Sequence, residues 1–205
     1  MNKILSILMM CLITVSLSAQ NSSIQKRVES HLMIGGGLFR AFGSNVGNLN
    51  SGVVVRAAYG FDTQLGEKWS VMPGVGFKAW LAKQGNEYGG GDHSMSLADV
   101  FCQARYHFAV GKNSLVVGLG PQISYAVKPD FYHISDLNNA LNGKEVFNRW
   151  DVDLLPSLSF RFGKHWMLGL EASVGLTNMR RQYPEYSSTG STYLHNLMFV
   201  TGFRF

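Results

Sequence analysis

The feature that most constrains this chain is a strict alternation of apolar with polar or small residues. From Trp166 onward, Leu168, Leu170, Ala172, Val174 and Leu176 fall on one face, and Met167, Gly169, Glu171, Ser173, Gly175 and Thr177 on the other. At the C-terminus Tyr193, His195, Leu197, Phe199, Thr201, Phe203 and Phe205 oppose Asn196, Met198, Val200, Gly202 and Arg204. Val53, Val55, Ala57, Tyr59 and Phe61 likewise oppose Val54, Arg56, Ala58 and Gly60. Successive side chains of a strand point to opposite faces, so a period of two specifies strands, where a helix would repeat about every 3.6 residues.

Eight such segments follow one another, near residues 31–42, 52–62, 69–81, 96–109, 115–127, 149–161, 167–178 and 193–205. Their connections alternate as well. Tight polar turns at Leu65–Lys68, Val110–Asn113 and Phe162–His165 join the second segment to the third, the fourth to the fifth and the sixth to the seventh. Each contains a glycine at a place where a hairpin turn can require positive φ. The other connections, Gly43–Ser51, Ala82–Met95, Lys128–Asn148 and Met179–Thr192, are longer. Short turns at one rim and long loops at the other, around an even number of strands, predict an all-β, eight-stranded antiparallel up-and-down transmembrane β-barrel.

A soluble up-and-down barrel shares that strand count but fills its inside with apolar residues and wets its outside. Here the polar face carries Arg56, Lys78, Asp99, Gln103, Arg105, Gln122, Asp151, Asp153, Arg161, Glu171 and Arg204. Such groups cannot face hydrocarbon, where an unpaired polar group costs several kcal/mol. Inside a closed barrel the five cations among them can pair with the four anions, and eight strands leave a lumen that side chains nearly fill. A charged plug is expected. Composition agrees: the chain is 46% hydrophobic and only 15% charged, against about 25% charged in an average soluble domain.

Aromatic residues fall where strands would cross the two membrane interfaces. Phe61, Trp69, Tyr106, Phe108, Phe162 and Trp166 lie near the tight turns, and Tyr59, Trp80, Tyr125, Trp150 and Tyr193 toward the loops, as two aromatic girdles require. Pro73, Pro121 and Pro156 interrupt strands on the outward phase, and bulges are the expected accommodation.

The N-terminus gives the compartment. Lys3, an apolar run from Ile4 to Leu17 and the small residues Ser16, Ser18 and Ala19 predict a secretory signal peptide over 1–19, cut after Ala19 or one residue earlier. The barrel domain then occupies 20–205. Cys102 is the one cysteine left, so no intrachain disulfide is expected. The modest charge of +5 comes without a basic run or a nucleic-acid module, and no nucleic-acid partner is expected.

The chain ends in Phe203-Arg204-Phe205, an aromatic terminus on an alternating strand, which resembles the signal by which the barrel-assembly machinery recognises outer-membrane barrels. The mature chain also resembles the PorT-like outer-membrane β-barrel domain family of Bacteroidetes-type bacteria. Gly163-Lys164-His165-Trp166, Gly175-Leu176-Thr177-Asn178 and Trp150-Asp151-Val152-Asp153 carry the likeness, while the first strand, with Gly35-Gly36-Gly37, departs from it. The resemblance implies a fold and a Gram-negative outer-membrane location, with no catalytic residues to transfer.

Neither glycine triplet, 35–37 or 89–91, opens a helix as a phosphate-binding loop would. Asp92-His93-Ser94 in the second long loop, and Asp130, His133 and Asp136 in the third, are donor clusters of the kind solvated loops accumulate, and no cofactor or metal is assigned to them. Ser135–Gly143 reads as a short N-capped helix over the barrel mouth. The functional expectation is a non-enzymatic outer-membrane barrel with a plugged lumen, in contact with outer-membrane lipid and acting structurally or through its loops on a surface ligand or envelope partner. A small barrel enzyme modifying outer-membrane lipid is the alternative, for which a His-x-Ser pair on the lipid face is lacking and His195-Asn196 is a poor substitute. A diffusion pore is disfavoured by the filled lumen.

Overall fold

The computed structural model describes residues 28–43, 51–83, 92–128, 148–179 and 191–205. The expected signal peptide over 1–19, the second glycine triplet, the Asp130 to Asp136 cluster and the helix expected over 135–143 lie outside these residues.

Ten hydrogen-bonded segments build the wall: β1 (Val28–Phe42), β2 (Ser51–Gln64), β3 (Trp69–Lys83), β4 (Asp92–Val110), β5 (Asn113–Leu119), β6 (Pro121–Lys128), β7 (Trp150–Leu154), β8 (Ser157–Phe162), β9 (Trp166–Gly175) and β10 (Tyr193–Arg204). β5 and β6 are halves of one strand, broken at Gly120, and β7 and β8 are halves of another, broken at Leu155 and Pro156. Register passes through both breaks unshifted: Ala104 faces Leu119 and Phe101 faces Gln122 on β4, while Gly118 faces Ser157 and Pro121 faces Leu154 across the next seam. Eight antiparallel staves result. β1 pairs with β10 from His31↔Arg204 to Phe42↔Tyr193 and closes the barrel, so the sheet has no free edge along this seam.

The prolines are therefore accommodated without bulges, contrary to expectation. At Pro121 and Pro156 the ladder skips a residue, and neighbouring backbone groups take up the slack: Leu155 N–H donates to Gly120 O at 2.8 Å and Ala172 N–H to Pro156 O at 2.9 Å. Pro73 lies inside β3, whose pairing with β2 lapses between Gly74 and Val71 and resumes in the same register. The register shift in this wall is at Ser96/Leu97, where β4 meets β6. Gly111 and Gly163 adopt φ +60°, as their tight turns require, whereas Gly66 does not need the left-handed region. β4 begins at Asp92 and pairs Lys83↔Asp92, Ala82↔His93 and Leu81↔Ser94, so that donor triplet belongs to a strand backbone rather than to a loop.

Along every stave the apolar phase is outside. Leu38, Val53, Val75, Leu170, Leu197 and Phe199 are all exposed, while Arg56, Lys78, Asp99, Arg105, Asp153 and Glu171 are buried. Exposed apolar side chains around the whole wall are the inverse of a soluble barrel and match a lipid-facing band. The turn rim carries an aromatic girdle in which Trp69 packs edge-on against Tyr106 at 4.9 Å and Trp166 against Phe203 at 5.3 Å. Two aromatic residues expected in the loop-side girdle lie elsewhere. Tyr59 packs on Phe61 and stands 6.3 Å from Phe205, which puts it at the turn rim. Trp80 is fully buried inside the barrel, stacked on Phe39 at 5.0 Å; it shares the inward phase of Lys78, two residues before it.

The lumen is packed by Met33, Met72, Met167 and Met198 around the charged residues and is closed toward the loops by Phe39, Trp80, Met95, Leu97 and Leu194. Methionine adapts to irregular gaps, which a lumen crossed by long charged side chains creates. Gly37 is needed for close approach here: a Cβ on it would stand 2.0 Å from Leu197 O and 2.6 Å from Met198 Cα. Both obstacles are backbone and cannot rotate away. Gly37→Ala should lower stability in urea titrations of the lipid-embedded barrel by about 1–3 kcal/mol, as overpacking does, with Gly36→Ala, which meets little, as the control.

Candidate functional site: a charged lumen and a polar notch at the loop rim

The lumen charges form three layers because the inward phases of different staves bring ionisable residues to three heights. In the middle layer Arg56 on β2 reaches Asp99 on β4, with Nη2 to Oδ1 at 2.7 Å, and bonds Glu171 on β9 through Nη1. Its guanidinium also lies 4.9 Å from the Phe101 ring. These contacts span the barrel from one wall to the other. Toward the loops, Lys78 Nζ donates to Asp153 Oδ2 at 3.0 Å and to Gln122 Oε1 at 3.1 Å, and Asp151 accepts from the Thr177 hydroxyl at 2.7 Å.

Toward the turn rim, Asp62 takes Arg105 Nη1 at 3.1 Å and Arg161 Nη2, while Glu29 takes Arg204 Nη1 at 3.0 Å. Arg204 also donates twice to Lys164 O, tying the last strand to the β8–β9 turn. His31 lies between the two acids, 3.8 Å from Asp62 and 3.9 Å from Glu29. Ser70 and His107 are in contact at 2.7 Å at this same end of the lumen. Phe205 exchanges backbone hydrogen bonds with Ser30, both 3.1 Å, and the Phe203 ring stacks on His165.

The nine charged residues expected in the lumen all face it, and eight are buried, with Arg204 half-buried at the rim. Glu29 and Asp62 were missed, and with them the balance among the described residues becomes six carboxyl groups facing five cations. Asp62 continues the phase of Arg56, Ala58 and Gly60, and Glu29 that of His31 and Met33. Extending each alternation by one more step would have found both. Between the layers, a void of about 10 Å³ beside Arg105, Gln103 and Glu171 is about one water in size.

A second feature lies in the wall at the loop rim. β7 and β9 pair only through Asp153↔Gly175 and Leu154↔Val174. Beyond those pairs backbone bonding thins out without ending: Leu176 N–H donates to Val152 O at 2.8 Å and Asn148 N–H to Met179 O at 2.7 Å, while the Thr177 hydroxyl accepts Val152 N–H at 3.0 Å and donates to Asp151. The opening, about 530 Å³, is lined by Tyr125, Asn148, Arg149, Trp150, Thr177 and Asn178. Asn148 Nδ2 donates to Asn178 O at 2.9 Å, Thr192 N–H to Asn178 Oδ1 at 2.8 Å, and Arg149 Nη1 to the Tyr125 hydroxyl at 3.2 Å. Tyr125 and Trp150 pack at 4.9 Å, and Trp150 is 57% exposed on the outer surface.

Eight antiparallel staves with an apolar outer band, a charged interior and unequal rims define an outer-membrane β-barrel. The chain belongs to the outer membrane protein beta-barrel domain family, which matches it over residues 13–181, and its location is the outer membrane. No curated protein matches it. Among solved structures it is similar to the outer membrane enzyme PagL, with a TM-score of 0.51 and 8% identity over 85% of this chain and 97% of that one. It is also similar to Ail, the attachment invasion locus protein of Yersinia pestis, in complex with the heparin analogue sucrose octasulfate, with a TM-score of 0.50 and 14% identity over 87% and 99% of the two chains. At such identities the likeness is one of fold.

Proposed function

We propose that this protein is a non-enzymatic, non-conducting outer-membrane barrel whose role, structural or ligand-binding, is exercised at its long-loop rim. The observation that carries this reading is the middle lumen layer, where Arg56 joins Asp99 on one wall to Glu171 on the other. A conducting path would have to break those pairs, and separating a buried ion pair costs several kcal/mol. The apolar closure of Phe39, Trp80 and Leu97 above it obstructs the same path.

The lipid-modifying alternative needs a nucleophile and base at the lipid surface. Ser70 and His107 meet in the lumen at the opposite rim, and His195 packs against Phe42 on the outside; neither arrangement favours catalysis on lipid. The reading extends to biogenesis: export from a Gram-negative cytoplasm by residues 1–19, recognition of Phe203 and Phe205 by the barrel-assembly machinery, and a place in the PorT-like branch of the family. In planar bilayers the folded protein, verified by faster gel migration unheated than boiled, should give no steady conductance steps of porin size. Such steps would sink the plugged-lumen reading.

A further inference from the structure

We propose that the rim notch between β7 and β9 binds the phosphorylated sugar headgroup of an outer-leaflet glycolipid. The inference rests on the membrane-embedded reading but not on the plugged lumen. Position is the first argument. Trp150 and Tyr125 belong to the loop-side girdle, and girdle aromatics sit at headgroup level. A polar pocket at the rim at that height faces headgroups rather than acyl chains, and its volume of about 530 Å³ falls within the roughly 300–1,000 Å³ of small-ligand sites.

Chemistry is the second. A guanidinium presents its N–H groups in a fork that matches phosphate oxygens, and Arg149 is half-buried in the notch. Beside it stand the aromatic pair Tyr125 and Trp150, whose faces suit the C–H surfaces of a sugar ring. The Asn148 and Asn178 amides add donors and acceptors for sugar hydroxyls, beside the Thr177 hydroxyl that is held by Asp151 and Val152. The third argument is preorganisation. Asn148, Asn178, Thr177 and Arg149 are each held by a hydrogen bond to the wall or rim, so little side-chain freedom is lost on binding. Trp150, exposed toward lipid, would meet the first carbons of the acyl chains.

The test uses the folded full-length barrel in mixed micelles and native mass spectrometry of retained adducts. The probes are diphosphoryl lipid A, its deacylated phosphorylated disaccharide and phosphatidylglycerol. The wild type should retain lipid A. Asn178→Asp keeps the acceptor for Thr192 N–H but sets a carboxylate against the phosphate, and Arg149→Gln removes the fork; each should weaken retention about tenfold or more. Arg40→Gln, at an exposed arginine elsewhere on the same rim, should change nothing. Where Arg149→Gln fails to give a heat-modifiable barrel, Asn178→Asp decides alone. Equal retention by wild type and the folded notch variants overturns the site. Equal retention of phosphatidylglycerol overturns the sugar requirement, and equal retention of the deacylated disaccharide overturns the lipid as its source. A non-conducting barrel that retains no lipid A would refute this inference and leave the proposed function standing.

Discussion

Replacing Arg56 with methionine should lower the stability of the lipid-embedded barrel by about 3–5 kcal/mol, because it leaves two buried carboxylates without their cation. The Asp99 and Glu171 side chains are almost wholly enclosed, and Arg56 bonds both. Methionine approximates the aliphatic part of arginine and sits easily among Met33, Met167 and Met198, so cavity formation contributes little. The triple variant Arg56→Met, Asp99→Asn, Glu171→Gln removes the charges together and should recover most of the loss, since a neutral, packed layer is often no worse than a buried ion pair. Urea titrations of the two proteins in the same vesicles measure the difference. A loss below about 1 kcal/mol for the single variant, the scale of solvent-exposed pairs, would mean that water reaches the layer and that the lumen is open.

The alternation that identifies the barrel also identifies the lumen face, because the pleat leaves no freedom between them: Arg56, Asp99 and Glu171 could be assigned inward from phase alone. Which cation meets which anion could not. Closing a barrel staggers its strands, so Arg56 meets Asp99 from two staves away and Glu171 from across the lumen, a geometry set by shear rather than by order along the chain. Trp80 shows the opposite failure. Its phase was legible from Lys78, and grouping it by position along the strand put it on the wrong face. Each proline removes a ladder donor, which predicts a bulge. Here Gly120 and Leu155 sit beside the breaks and let the ladder skip a residue without changing register. The rim notch left no signal in the sequence at all, since it arises where β7 and β9 diverge toward the rim and the Thr177 and Asn148 side chains take over part of the cross-strand hydrogen bonding, which neither strand's pattern records.

Membrane insertion, the plug and the rim site all depend on which face meets lipid, and β9 allows that to be tested directly. Leu170 is exposed between its cross-strand neighbours Leu158 and Phe199, themselves exposed, whereas Ser173 is buried opposite Asn196. An arginine on the lipid face near the bilayer midplane costs about 2–4 kcal/mol, and a lumen substitution escapes that transfer cost. Leu170→Arg should therefore destabilise folding into vesicles more than Ser173→Arg does. The second variant loses something to crowding, on the order of 1–3 kcal/mol, but Glu171 lies on the same inward face and offsets part of its charge. Ser173 Oγ itself has no hydrogen-bond partner, so Ser173→Ala should be close to neutral and calibrates the site. If titration in lipid reverses the order of the two arginine variants, the apolar face points inward. The chain would then be a soluble binding barrel, and its function would belong to the interior rather than to the loop rim.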